Sequence, residues 1–163
     1  MLVLAGCGTS APAQPAAPAG YDFPALSGRV VDAANLLPAP SRSAISAKLA
    51  TLEKATGHQF VVVTVASLGG HPIEDYGLRL GRTWGIGRKN IDDGVLLVVA
   101  PNERKVRIEV GYGLEKALRD EEAKAIIDKA ILPAFRSGDF PRGIAAGVDG
   151  VIREISPAKR LAA

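Results

Sequence analysis

The chain has 163 residues, 47% of them hydrophobic, and a formal net charge of +3. That length suits one domain with a proper core and argues against two. The basic residues are scattered through helices and turns, so the charges read as a mixed solvated surface and nucleic-acid binding is excluded for want of a clustered footprint. A single cysteine excludes an intramolecular disulfide, a CxxC metal site and a thiol relay. After residue 20 no apolar run approaches the ~20 residues of a membrane span; the longest, Val95 to Ala100, suits a buried strand.

The lone cysteine is informative through its neighbours. Leu4-Ala5-Gly6-Cys7 resembles a bacterial lipobox, in which small residues admit the signal peptidase and the thiol becomes the attachment point for a lipid. Met1-Leu2-Val3 supplies almost no hydrophobic stretch and no positive start, so the expectation is that residues precede Met1 or that Met1 is internal. Ala, Pro, Ser, Thr and Gln dominate residues 8–20 without periodicity, a composition that behaves as a spacer. The resulting division is a truncated signal or lipobox-like segment over 1–7, an Ala/Pro-rich linker over 8–25, a folded domain over 26–156 and a tail over 157–163.

Gly28-Arg29-Val30-Val31-Asp32 is a short strand-prone opening. From about Ser41, Ile45, Leu49 and Leu52 fall at helical spacing until Gly57. The β-branched run from Gln59 to Ala66 predicts a strand buried on both faces. Pro72 then predicts a helix start, with Glu74 and Asp75 favouring the positive end of the dipole and Ile73, Tyr76, Leu80 and Trp84 on one face. Val95 to Ala100 is a second buried strand, and the strict alternation of Lys105 to Val110 after a four-residue turn makes an antiparallel hairpin with one wet face. Asp120 is expected to cap a third helix that Pro133 ends or kinks. Asp139 and Pro141 start the last one, where Gly143, Gly147 and Gly150 permit close approach to a neighbour.

This order predicts an α/β fold, a three-layer α/β/α sandwich with a small mixed sheet. A right-handed crossover makes the two buried strands parallel. Gly57-His58, Asp92-Asp93-Gly94 and Gly111-Tyr112-Gly113 then share one end of the sheet, together with Glu115 and Asp120. Carboxylates beside glycines, without a cysteine or histidine pair, suit a hard divalent cation, calcium or magnesium. The same residues also read as structure: Asp120 as a helix cap, Asp92 and Asp93 as turn residues, Glu115 as a partner of Arg107 or Lys116. His58 reads as a general base or as a helix C-terminal group. His71 belongs to a helix start at the opposite end, and Tyr76 and Trp84 belong to the core. Gly85-Ile86-Gly87 lacks the strand before and helix after that a dinucleotide fingerprint needs, and no serine sits on a nucleophile elbow.

Several blocks in order resemble the TPM domain family: Gly28 to Asp32; Thr56-Gly57-His58-Gln59; Trp84-Gly85-Ile86-Gly87; Asp92 to Ala100; Arg107 to Glu115 with Leu118 and Asp120; and Pro133 to Phe140. The resemblance covers roughly residues 26 to 155. It implies an α/β/α sandwich, calcium binding in some members and acid phosphatase activity in plant members. Carried onto this chain, it implies an acidic site of Asp32, Asp92, Asp93, Glu115 and Asp120, with Asp93 standing where many members have asparagine. Asp32 reaches that edge only if the loop after it lies back along the sheet.

Two functions are expected from these readings. The first is an envelope-anchored binding or assembly module, lipidated at Cys7 on the extracytoplasmic side of a membrane, with a divalent-cation site stiffening the edge that meets a protein partner. The alternative is a metal-assisted phosphatase acting on phosphomonoesters, against which stands the carboxylate-rich character of the edge.

Overall fold

The computed structural model describes residues 13–157. Its elements are β1 (Val30–Asp32), α1 (Ala39–Thr56), β2 (Gln59–Thr64), α2 (Ile73–Trp84), β3 (Gly94–Ala100) and β4 (Lys105–Val110). A 3-10 turn (Tyr112–Leu114) follows, then α3 (Asp120–Ile126), a π-helical turn (Ile127–Ile131), α4 (Leu132–Arg136) and α5 (Phe140–Ile155). The sheet runs in the order β1-β2-β3-β4. β1, β2 and β3 are parallel and β4 is antiparallel to β3, so the sheet is mixed and β4 forms one of its edges.

The period of the strands divides the core into two halves. Phe60, Val62, Val95, Leu97, Val99 and Ile108 face α1, α3 and α5. Val61, Val63, Leu96 and Val98 face α2, which contributes Ile73, Tyr76, Leu80 and Trp84. β3 is buried at every position, which explains why its sequence shows no alternation. Together these layers make the α/β/α sandwich.

Three details depart from the sequence reading. Tyr21, Phe23 and Leu26 pack on the α2 side, so the packed chain begins upstream of residue 26. The Tyr21 hydroxyl donates to Asp75, its ring stacks on His71 at 3.9 Å, and Trp84 Nε1 donates to the Pro24 carbonyl at 3.1 Å. Asp120 is the first residue of α3 and not its cap; instead the Glu122 carboxylate reaches back to accept the Arg119 backbone N–H at 3.0 Å. The third helix is also not interrupted at Pro133: a π turn widens it so that the chain continues into α4.

α5 fits closely against this widened helix because it turns small residues toward it. A Cβ on Gly143 would stand 2.6 Å from the Phe135 ring, and one on Gly147 would stand 2.6 Å from Ile131 Cδ1. At its start Asp139 accepts the Arg142 backbone N–H at 3.1 Å, the cap its sequence predicts.

Candidate functional site

The antiparallel arm and the parallel crossover bring three loops to the end of the sheet where β2 and β3 begin. The Gln59 N–H donates to the Asp93 carbonyl at 3.3 Å, Gly111 N–H to the Gly94 carbonyl at 2.8 Å, and Gly113 N–H to the Asp92 carbonyl at 3.0 Å. A Cβ on Gly111 would overlap the carbonyl of Asp92, and one on Gly113 that of Ile91. Glycine at these two positions is what lets the 85–94 loop lie against the chain leaving β4. Asn90 and Asp92 hold positive φ of 66° and 52°, a conformation their short polar side chains tolerate.

Asp93 is fully buried beneath this loop. Its Oδ1 accepts the Arg88 backbone N–H at 2.8 Å; Oδ2 accepts Arg88 Nε at 2.8 Å and Nη2 at 2.5 Å, and lies 3.0 Å from His58 Nδ1. Burial pushes the Asp93 carboxyl up, but the Arg88 guanidinium, the Arg88 amide and His58 outweigh it and hold the group well below the usual carboxylate range. His58 is therefore neither simply a dipole partner of α1 nor free: Gly57 ends α1 with φ 79°, and the ring that follows locks onto Asp93. Sequence reasoning missed this Arg88–Asp93–His58 cluster, for which the only signal is an arginine and an aspartate at either end of a tight loop.

Above the cluster lies an open groove of about 990 Å³. One wall is α2, with Gly77, Leu78, Gly81 and Arg82; the other runs from Leu118 to Glu121; Arg107 to Gly111 lie between them, and the 85–94 loop closes one end. Asp92, Glu115 and Asp120 all line this groove. Asp93 does not, because its carboxylate is turned inward onto Arg88. The Glu115–Arg107 pairing is also not made: Arg107 pairs with Glu109.

Asp32 stands apart. It pairs in register with Thr64 at the far end of β2, and its carboxylate accepts Thr64 Oγ1 at 2.6 Å and the backbone N–H groups of Leu36 and Leu37 at 2.9 and 2.8 Å. The loop after β1 thus turns on Asp32 and does not carry it to the groove. Among the described residues no group of three His, Cys, Asp or Glu side chains is placed to hold a metal ion. The donor chemistry of the groove suits a hard cation, but its carboxylates do not form a preassembled cage.

The groove is not the mainly acidic edge that the sequence suggested. Arg82, Arg88, Lys89, Arg107 and Arg119 line it as well. Arg88, Arg107 and Arg119 are committed to Asp93, Glu109 and Glu122 respectively, whereas Arg82 and Lys89 make no ion pair among the described residues. Leu78, Ile91 and Tyr112, the exposed large hydrophobics among the described residues, are 43%, 48% and 78% accessible. Leu78 and Tyr112 line the groove, whereas Ile91 lies in the 85–94 loop, between the lining residues Lys89 and Asp92 in sequence.

Comparison with known proteins agrees with this architecture. No curated protein matches the chain. The solved N-terminal domain of a protein from P. gingivalis is 37% identical, with a TM-score of 0.75 over 81% of this chain and 85% of that one. The N-terminal domain of the cg2496 protein from Corynebacterium glutamicum is 18% identical, with a TM-score of 0.63 over 83% and 84% of the two chains. The BA42 protein from the psychrophilic bacterium Bizionia argentinensis is 20% identical, with a TM-score of 0.64 over 75% and 83%; these last two likenesses concern the fold alone. The model of the TPM domain matches residues 30–154, and the chain belongs to the TPM domain family.

Proposed function

We propose that this chain is a membrane-anchored, extracytoplasmic binding or assembly module of the TPM type, which receives an envelope protein partner in the groove between α2, β4 and the start of α3. The observation that carries this reading is the exposure of Leu78 and Tyr112 on one groove lined by charged residues, with the exposed Ile91 in the 85–94 loop that closes its end. An apolar cluster framed by polar groups is the anatomy of a protein contact, and an exposed tyrosine supplies large contact area at low entropic cost.

The anchor belongs to the same reading. Cys7 lies outside the described residues, and its support is the lipobox-like Leu4-Ala5-Gly6-Cys7 with the spacer after it. No helix of the described residues is long and apolar enough to cross a membrane, so attachment in this reading comes from acyl chains on Cys7. Tyr21 stacks on His71 beside the start of α2, and upstream of it Gln14 accepts the Leu26 backbone N–H at 3.1 Å, so the described part of the spacer lies along the domain. A divalent cation enters this proposal as a loose ligand of Asp92, Glu115 and Asp120 that lowers their mutual repulsion, not as a step in recognition.

One observation favours the second reading, phosphomonoester hydrolysis: Arg82 and Lys89 give the groove cations without carboxylate partners. Hydrolysis of p-nitrophenyl phosphate by the purified domain, abolished by metal removal and by Arg82→Ala, would move the assignment to an enzyme. For the binding reading the test is a combined Leu78→Ser, Ile91→Ser and Tyr112→Ser variant at native expression level. It keeps the melting temperature of the parent and loses the partner that co-purifies with the parent from detergent-solubilised envelopes. Retention of that partner by the variant would overturn the groove as the binding surface.

A further inference from the structure

We propose that the open edge of β4 takes an extended segment of the partner protein as a fifth strand, with an acidic side chain of that segment meeting Arg82 and Lys89. The inference rests on the groove being the partner site and specifies how it is used. β4 is the last strand of the sheet, paired only with β3. The Gly111 N–H donates to the Gly94 carbonyl, which fixes the phase of the antiparallel ladder. Counting back two residues at a time, Glu109, Arg107 and Lys105 face Leu96, Val98 and Ala100 as hydrogen-bonded pairs. Val106, Ile108 and Val110 are the alternate residues, so their N–H and C=O groups point away from β3.

Those groups meet the groove. Ile108 is only 6% exposed and its side chain belongs to the core, yet it lines the groove, as does Val110. What Ile108 presents there is the backbone edge. The groove is a slot between the two helical layers, with α2 on one side, residues 118–121 on the other and the edge of β4 between them. A row of unpaired backbone groups selects an extended chain before any other ligand, because each strand residue brings a donor or an acceptor in register. The walls then select among sequences. Leu78 and Tyr112 offer apolar contact, and Arg82 on α2 and Lys89 on the 85–94 loop are cations without partners, which an acidic residue in the added strand would complement on that wall. The carboxylates of Asp120 and Glu121 on the opposite wall disfavour a second acid there. Natural sheets blunt such an edge with charges, and here Arg107 and Glu109 instead pair with each other, leaving the strand edge open.

The probe is a random peptide library displayed on phage and selected against the folded chain. Selected peptides carry an acidic residue. By NMR hydrogen exchange they protect the amides of Val106, Ile108 and Val110, while those of Lys105, Arg107 and Glu109, already bonded to β3, change little. Val110→Pro removes an N–H on the open side without breaking the ladder to β3, and weakens the selected peptides about tenfold or more; Arg82→Ala with Lys89→Ala weakens them about tenfold. Should Val110→Pro fold poorly, the exchange measurement on the parent chain decides alone. Peptides that lose affinity with Tyr112→Ala but protect none of the three amides would keep the groove as a binding site and overturn strand addition. Failure to select any peptide would overturn it too. A chain that dimerises in sedimentation, and does so no longer as Val110→Pro, would make a second copy the occupant and overturn the assignment to a partner.

Discussion

Arg88 turns back through a tight loop to place its guanidinium on the carboxylate of Asp93, with Nη2 2.5 Å from Oδ2. The two ends of the pair are unequal: the Asp93 side chain is wholly buried, while that of Arg88 is 45% exposed and keeps part of its hydration. The cost of the arrangement therefore falls on the carboxylate, and its rescue depends on the arginine.

Asp93→Ala removes the acceptor of the Arg88 amide, the Arg88 guanidinium and His58 together, and should destabilise the domain by ~2–3 kcal/mol in chemical denaturation. Arg88→Lys should recover only part of what Arg88→Ala loses, since an ammonium cannot bridge Nε and Nη2 positions at once. The pH dependence has a fixed sign. A carboxyl depressed in the folded state contributes stability that is fully present above its unfolded pKa, about 3.9, and is lost as pH falls through the folded value. Acid titration of stability should thus be shallower below about pH 4 in Asp93→Asn than in the parent; equal slopes would remove Asp93 from the account of acid stability.

Gly111→Ala tests the packing of the loop against the strand exit. The position has an ordinary φ of −70°, so the penalty is steric overlap with the Asp92 carbonyl and not backbone strain. The expected loss is ~1–3 kcal/mol, with NMR shift changes concentrated in residues 85–94. A substitution without effect would mean that the loop does not lie as tightly as Gly113 N–H to Asp92 carbonyl implies.

Asp32 and Asp120 should behave differently. Asp32→Ala strips acceptors from Leu36, Leu37 and Thr64 and should cost ~2–3 kcal/mol in differential calorimetry, without altering any response to calcium. In the cation proposal calcium raises the melting temperature by mass action, and Asp120→Asn reduces that rise. A calcium response lost in Asp32→Ala and kept in Asp120→Asn would contradict the division of the acids between the two ends of the sheet.

The anchor is tested by fractionation. Chain produced behind an intact export signal should partition with membranes, and Cys7→Ser should release it, because the acyl chains supply the affinity. Membrane retention of the serine variant would remove lipidation at Cys7.

The fold was legible because its signals are local or topological. β-branched runs mark β2 and β3, alternation marks β4, and crossover handedness places the loops around Gly57, Asp93 and Gly111 at one end. What escaped depends on side chains meeting across the loops. Nothing in the spacing of His58, Arg88 and Asp93 says that the aspartate turns inward, and only its burial converts a supposed ligand into an anchor for Arg88 and His58. Asp120 was misplaced by a single residue at a helix boundary, where a helix-favouring carboxylate fits the cap and the first turn equally well. Tyr21 and Phe23 were read as spacer because their surroundings are rich in proline and alanine, yet two aromatics are enough to dock the strap on α2. The cations of the groove were undercounted because Arg82 and Arg107 come from α2 and β4 and meet only in the folded chain.

The central claim, that the groove receives a protein partner, is tested most directly by a photo-reactive amino acid placed at position 112 in the chain produced behind an intact export signal and activated in intact cells. Tyr112 is 78% exposed and lines the groove, so the account predicts one adduct of defined mass there, and none from the same group at the exposed position Thr51 on α1. The absence of an adduct at position 112, or the same adducts from both positions, would contradict it.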